Sequence, residues 1–238
     1  MHAGLIHLAA SDTVALRLGA LESDMRAIGV VAGAYFLTPA FHSQVGKRTV
    51  VKHFGFSDAI VASYLNPDNF ENDPTPDYVM RTGRTMSWKQ AIERDDMTAV
   101  QRATVDLFRE IGLVDGVSVP LYGPNGRDSY SAFLFDRALG AQDEPLVRRM
   151  ACTARQHHHR ICLLIERDYM TPVAISKRES EVLYWMARGK SNTDAAAIMG
   201  VTAGTIDTYV RRIYAKFDVH DRISAILEGM SRGLLKLG

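Results

Sequence analysis

The stretch between residues 203 and 217 combines an apolar pattern with basic and polar side chains. Its apolar residues recur at helical spacing and predict a buried face: Ile206, Val210, Ile213 and Phe217. The remaining face carries Thr205, Asp207, Thr208, Arg211, Arg212 and Lys216. Arginine can read guanine bidentately in the major groove, while threonine and lysine can hold phosphates. The pattern favours a DNA-binding helix, and the alternative is a solvated face on a four-helix bundle.

The rest of the chain carries little that suggests catalysis. It has no Gly-x-Ser-x-Gly, no phosphate loop and no His-Glu-x-x-His, so we predict no enzyme, no catalytic residue and no metal site. Three consecutive histidines stand in Gln156–Arg160. Consecutive residues point in different directions on a helix, so this run predicts a solvent-facing or dimer-facing stretch. Cys152 and Cys162 form no disulfide framework and are predicted to be reduced thiols.

Composition indicates a folded protein of one or two domains. The chain has 238 residues, of which 47% are hydrophobic and 23% charged, so wholesale disorder is excluded. No apolar run approaches the roughly 20 residues that span a bilayer, and the N-terminus lacks a basic region before its apolar stretch. We therefore predict a cytoplasmic protein with no signal peptide and no membrane partner.

Charge is distributed unevenly along the chain. From Pro172 onward there are ten Lys/Arg and seven Asp/Glu, a balance of +3. Subtraction from the totals of 28 and 27 leaves 18 basic and 20 acidic residues before it, a balance of −2. A basic tail after a larger, slightly acidic part is compatible with nucleic-acid binding by the tail.

The tail after residue 175 predicts helices alone. We expect them at 176–188, 192–199, 203–217 and 221–230, joined by short connections. Ser176 and Glu179 form a capping-box pattern, Asn192 and Thr202 are candidate caps, and Gly200 suits a left-handed helix end. Two short helices separated by Gly-Val-Thr predict a helix-turn-helix.

The part before it mixes helix and strand patterns. Helices are predicted at 12–29, 58–65, 98–111 and 142–168, and strands at 32–37 and 49–54. Two further β-rich runs, 116–122 and 130–135, flank Gly-Pro-Asn-Gly and predict a hairpin. The expected fold class is an α+β sensor domain, with an antiparallel sheet sandwiched by helices, followed by an all-α four-helix helix-turn-helix domain. The predicted boundaries are 1–170, a linker at 171–174, and 175–238.

Read as a whole, the tail resembles the LuxR-type helix-turn-helix over about 60 residues without a gap. The positions that carry the resemblance are Arg178, Glu179, Leu183, Gly189, Gly200, Thr205, Lys216 and Arg222. The sequence departs from the family pattern at Lys177, where Pro is usual, and at Tyr209, where His or Lys is more common.

This resemblance implies that the third helix of the tail enters the major groove of double-stranded DNA. Its base-reading positions fall on Asp207 and Arg211. The family's backbone contacts fall on Lys190, Ser191, Asn192, Thr205, Thr208, Arg212 and Lys216. Asp207 is unusual at such a surface, because a carboxylate repels phosphate but can accept from cytosine N4.

The first part resembles the autoinducer-binding domain of LuxR-type quorum-sensing regulators. The resemblance is best at 64–88 and 112–126, where Tyr64 and Asp73 are nine residues apart and Asp73 and Trp88 fifteen. It implies that Asp73 accepts from a ligand amide, that Tyr64 donates to an acyl carbonyl, and that Trp88 packs on a lactone. The alternative is that all three are scaffold residues.

One departure concerns ligand chemistry. The family has a second Trp, a donor to the lactone carbonyl, where this chain has Ile60, and an extra aromatic, Phe56, stands one turn earlier. The resemblance thus implies binding sites for an acyl-homoserine lactone or a related small signal, no other cofactor, a homodimer on a two-fold symmetric operator, and RNA polymerase as a partner. A ligand-independent regulator whose first domain only dimerises or binds a protein stays open.

Overall fold

The computed structural model describes residues 12–37, 49–113, 115–169 and 172–235. They divide into two compact units, the larger made of the described residues up to 168 except 124–126, and the smaller containing 172–235 together with 124–126. Residues 1–11, at the start of the predicted sensor domain, and residue 171 of the predicted linker lie outside the described residues.

The larger unit is built on a five-stranded antiparallel sheet with the strand order β2-β1-β5-β4-β3. Its elements are α1 (Asp12–Ala27), β1 (Val30–Leu37), β2 (Thr49–Phe54), α2 (Asp58–Tyr64), α3 (Pro67–Asn72), α4 (Pro74–Thr82), β3 (Met86–Ser87), α5 (Trp88–Ile92), α6 (Ala99–Glu110), β4 (Gly116–Leu121), β5 (Ser129–Phe135) and α7 (Glu144–Tyr169). The predicted hairpin is present as β4 and β5, and Asn125 adopts the left-handed conformation in its turn. The predicted fold class is confirmed.

Side chains leave the two faces of the sheet in alternation, and each face has its own core. On one face Tyr35 and Phe133 pack with the apolar residues of α1 and α7. On the other face Phe36 and Tyr130 pack with residues of the short helices α3, α4 and α5. The result is three layers, with the sheet buried between two sets of helices.

The three consecutive histidines of α7 do not form the solvent-facing or dimer-facing stretch that the sequence predicts. His157 and His158 are buried, and only His159 of the three is exposed. His157 Nε2 lies 2.8 Å from Asp24 Oδ2 on α1, and His158 Nδ1 lies 2.7 Å from the Tyr35 hydroxyl on β1. These partners stand 133 and 123 residues away in the chain, so the local pattern could not reveal them.

The neighbourhood of His158 disfavours charge. Burial lowers the pKa of His158 to about 4 and raises the pKa of the Cys162 thiol, 3.5 Å from His158 Nε2, to about 12. Both groups are therefore neutral at physiological pH. His158 ties α7 to β1 through the Tyr35 hydroxyl, and Cys162 Sγ donates to the Arg127 carbonyl, between β4 and β5, at 3.5 Å.

The smaller unit contains four helices: α8 (Lys177–Ala187), α9 (Asn192–Met199), α10 (Ala203–Phe217) and α11 (Arg222–Ser231). The capping box of Ser176 and Glu179 begins α8, and Thr202 caps α10, both as predicted. Gly200 ends α9 with a φ of 66°, the left-handed end that the sequence predicts. Asn192 was the wrong residue for the cap of α9, because Ser191 accepts from the Asp194 amide instead.

We expect the larger unit to lose stability as the pH falls from 6.5 toward about 4. The unfolded chain protonates His158 near its ordinary pKa of 6.5, while the folded unit resists until about 4. Between these values the unfolded state binds more protons, so acidification favours unfolding, by up to about 3 kcal/mol. Equilibrium denaturation at several pH values across this window gives the free energy of unfolding, which should fall less steeply with decreasing pH for His158→Gln than for the wild type. His159→Gln, at the exposed neighbour, is the control and should keep the wild-type slope. Equal slopes for all three proteins would contradict the assignment.

Gly116→Ala should destabilise the larger unit by about 1–3 kcal/mol, because overpacking forces neighbours out of place. A Cβ at this position would lie 2.4 Å from two ring atoms of Trp88. Urea denaturation followed by Trp fluorescence measures the effect. Gly19→Ala is the matched control: nothing lies within 4 Å of its Cβ on α1, and alanine there should be neutral or stabilising. A Gly116→Ala protein as stable as the control would show that Trp88 is not held against β4.

Candidate ligand cavity and DNA-binding surface

A cavity lies in the larger unit between one face of the sheet and helices α2, α4, α5 and α6. Its volume is about 860 Å³ with the open space at the mouth included. Small-molecule sites combine apolar walls with a few polar groups, and this cavity has that wall chemistry.

All five residues predicted to contact a ligand line this one cavity: Phe56, Ile60, Tyr64, Asp73 and Trp88. They come from separate elements. Phe56 precedes α2, while Ile60 and Tyr64 stand one turn apart on it. Asp73 caps α4, and Trp88 is the first residue of α5, which a capping box of Ser87 and Gln90 begins.

Asp73 is the polar centre of the cavity wall and is buried, with 7% of its surface exposed. Its Oδ1 accepts the Thr75 amide at 2.9 Å, and its Oδ2 accepts the Tyr64 hydroxyl at 2.7 Å. The carboxylate therefore has a structural task of its own, which fits the scaffold alternative. A carboxylate offers about four acceptor sites, so it can still accept a hydrogen bond from a ligand.

The Tyr64 hydroxyl donates to Asp73 in this structure. A ligand carbonyl would have to compete with the Asp73 carboxylate for the same proton. The Tyr64 ring packs against Phe108, Phe70 and Phe36, with ring centroids 5.2, 5.6 and 5.9 Å away. Tyr64 thus contributes a polar hydroxyl and an apolar ring to the cavity wall.

Sequence reasoning missed several lining residues. Phe36, Tyr130 and Ala132 line the cavity from β1 and β5, and Phe108 lines it from α6. The alternation of strand side chains could have grouped the first three on one face. The Tyr130 hydroxyl lies 2.6 Å from Ser118 Oγ, so this buried pair satisfies its own polar atoms. His53, from β2, also reaches the cavity, and nothing in its sequence context signals this.

In the smaller unit, α9 and α10 form the predicted helix-turn-helix. The apolar face of α10 is buried as predicted, and Asp207, Thr208, Arg211 and Arg212 are exposed on the other side. Lys190 and Ser191 are exposed just before α9. Thr205 is half-buried and its hydroxyl lies 2.9 Å from that of Thr202. The structure thus places most of the predicted DNA contacts on one accessible helix and the turn before α9.

Two predicted contacts have partners inside the unit. Lys216 Nζ donates to Glu179 Oε2 at 2.7 Å and to the Ala174 carbonyl at 3.0 Å. Burial alone would raise the pKa of Glu179, but the hydrogen bond from Lys216 and the Ser176 amide outweigh it and hold that pKa below its ordinary value. Asn192 Nδ2 donates to Asp207 Oδ1 at 2.5 Å.

The described residues hold no group of three or more His, Cys, Asp or Glu side chains placed to bind a metal ion. Within the same residues, each helix is too short or too polar to cross a membrane.

Several transcriptional regulators are similar to this chain. The transcriptional activator protein AhyR of Aeromonas hydrophila is 27% identical over 185 residues, which cover 75% of this chain and 70% of AhyR. The quorum-sensing regulator RhlR of Pseudomonas aeruginosa is 25% identical over 224 residues, which cover 90% of this chain and 88% of RhlR.

The fold is that of a solved regulator. The crystal structure of Escherichia coli SdiA matches with a TM-score of 0.66 and 19% identity, covering 97% of this chain and 95% of SdiA. SdiA has also been solved in complex with octanoyl-rac-glycerol, with a TM-score of 0.62 to this chain.

Two family models match consecutive parts of the chain. The autoinducer binding domain matches residues 17–161, and the model of bacterial regulatory proteins of the luxR family matches residues 173–228. The first contains the cavity and the second contains the helix-turn-helix. The chain therefore belongs to the LuxR family of transcriptional regulators, with an autoinducer-binding domain followed by a LuxR-type DNA-binding domain.

Proposed function

We propose that this chain is a cytoplasmic homodimeric transcription factor whose larger unit binds a small acylated signal in the cavity. The observation that carries the proposal is that Phe56, Ile60, Tyr64, Asp73 and Trp88, chosen from sequence alone, line one cavity. The protein acts by binding and has no catalytic step in this proposal.

The cavity suits a molecule with one hydrogen-bond donor and a large apolar part. Asp73 supplies the acceptor, and an unpaired buried polar group would cost a ligand about 1–3 kcal/mol. The rings of Phe36, Tyr64 and Phe108 supply apolar contact. An acyl-homoserine lactone meets these needs, as does a related amide or alcohol without the lactone.

Ile60 separates these two ligand classes. It is half-buried in the cavity wall and its side chain donates no hydrogen bond. A lactone carbonyl seated against α2 would lose that partner, whereas a ligand lacking the carbonyl would not.

The smaller unit would read a two-fold symmetric operator in double-stranded DNA. A symmetric dimer presents two copies of α10, so the operator needs two half-sites related by the same symmetry. Ligand binding then stabilises the DNA-binding form of the dimer, which is linkage between two sites, and bound dimer recruits RNA polymerase.

Native mass spectrometry of the protein purified from its own host and from a heterologous host tests the ligand. We expect a host-only adduct with the mass of one small acylated molecule per chain. The mass of a lactone or of another molecule decides between the two ligand classes. An empty protein from both sources would favour the ligand-independent regulator.

Asp73→Asn should weaken ligand binding by about 10- to 150-fold. Asparagine keeps the cap of α4 but removes the charge of the carboxylate that would accept from the ligand. A hydrogen bond to a charged group contributes about 1.5–3 kcal/mol, which corresponds to this loss of affinity. Titration of extracted ligand, followed by thermal unfolding, measures the loss. Asn66→Asp, the same kind of change at the cap of α3 outside the cavity, is the control. Equal affinity of both variants would leave Asp73 a scaffold residue only.

Arg211→Ala should cost about 1–3 kcal/mol of specific binding and relax base preference at one position. Arg211 is exposed on α10, one turn beyond Asp207, and its Nε lies 3.4 Å from the Asp207 carbonyl. Gel-shift titrations at fixed salt on a selected operator measure the change. Lys190→Ala should instead weaken binding to all DNA sequences alike and reduce the salt dependence of the affinity. Unchanged operator affinity for Arg211→Ala would refute its assignment to bases.

A further inference from the structure

A chain of hydrogen bonds joins the DNA-facing helix α10 to the two helices beside it. Asn192 Nδ2 donates to Asp207 Oδ1 at 2.5 Å, Arg222 donates to Asn192 Oδ1 at 3.4 Å, and Arg222 also donates to the Lys190 carbonyl at 2.5 Å. Asp207 lies on α10, Asn192 begins α9 and Arg222 begins α11. Three helices thus meet at one amide.

We propose that Asn192 is a positioning residue that holds the Asp207 carboxylate as a reader of cytosine, rather than a contact to the DNA backbone. The inference rests on the proposed binding of DNA by this unit. Lys190 and Ser191 keep their proposed contacts to phosphate.

The bonds of Asn192 argue against a phosphate contact. One amide hydrogen is given to Asp207 and the carbonyl accepts from Arg222. Asn192 is also half-buried, whereas Lys190 and Ser191 beside it are exposed. A phosphate at Asn192 would approach a carboxylate that lies 2.5 Å from the same amide nitrogen, and the two negative charges would repel each other.

The bonds of Asp207 leave it able to read a base. Asn192 occupies Oδ1, while Oδ2 accepts no hydrogen bond from the residues that the structure describes. Asp207 stands in the second turn of α10, near the helix N-terminus that contacts base edges in this class of motif. Because Asn192 fixes the carboxylate, less rotamer freedom is lost when a base binds.

Base chemistry selects cytosine. A carboxylate only accepts, and cytosine offers a lone N4 amine to the major groove. Adenine places its N7 acceptor beside its amine, and guanine and thymine present O6, N7 or O4 acceptors that repel a carboxylate. Asp207 should therefore favour one cytosine in each half-site and disfavour guanine there.

Selection of duplexes from a random library by the full-length protein, purified from its own host so that any bound signal is retained, tests this inference. We expect wild-type protein to enrich a cytosine at one half-site position, and Asp207→Asn to shift that position toward adenine, which an amide reads. Asn192→Ala should lower the cytosine preference at least about threefold, leave the other positions unchanged, and keep the salt dependence of the wild type. Thr193→Ala, at the next residue of α9, is the control and should enrich the wild-type sequence.

Two results would overturn the inference, and they differ from failure of the proposed function. If Asn192→Ala keeps the cytosine preference but binds all sequences more weakly with a smaller salt slope, Asn192 contacts phosphate. If Asp207→Asn leaves every position unchanged, Asp207 reads no base. Enrichment of no sequence by the wild type would instead contradict DNA recognition itself. Matching thermal unfolding of the Asn192→Ala and Thr193→Ala proteins shows that altered preference is not lost folding.

Discussion

The carboxylate of Asp73 determines where the wall of the ligand cavity stands. Its two oxygens bind two different elements, the first turn of α4 through the Thr75 amide and the end of α2 through the Tyr64 hydroxyl. Helices of six to nine residues have little stability of their own, so their placement depends on such contacts. A ligand that bonds to Asp73, as proposed, would therefore act on the group that joins α2 and α4, and its binding would be coupled to the order of the cavity wall.

The smaller unit depends on a second buried carboxylate in a similar way. Glu179 has 3% of its surface exposed, caps α8 through Ser176 and binds Lys216 near the end of α10. Removing Lys216 would leave the buried Glu179 carboxylate without its charged partner, which destabilises the fold. Lys216 is thus engaged in the fold before any DNA is present, and loss of DNA binding on its substitution would report lost structure as readily as a lost phosphate contact.

The sequence predicts those parts of the structure that local patterns determine. The face of α10 formed by Ile206 and Ile213 is buried because helical periodicity leaves no other arrangement, and Gly200 ends α9 because its left-handed conformation suits glycine. The helices α3, α4 and α5 are too short for periodicity, although Asn66-Pro67 and Asp73-Pro74 are both cap-and-proline starts. The burial of His158 depends on Tyr35, 123 residues away, and a contact at that separation has no local pattern to signal it.

Polar residues chosen for function therefore often hold the fold as well, and the cavity shows what this means for ligand chemistry. Asp73 and Tyr64 bond to each other, and Tyr130 bonds to Ser118, so much of the polar capacity of the wall is used within the protein. Ile60 adds an apolar surface where the family resemblance implies a donor. A ligand bound as proposed would add hydrogen bonds to the Asp73–Tyr64 pair and gain apolar contact from the rings around it. His53 and Arg109 also line the cavity, so selectivity among signals would depend on the shape of the apolar part together with these polar side chains.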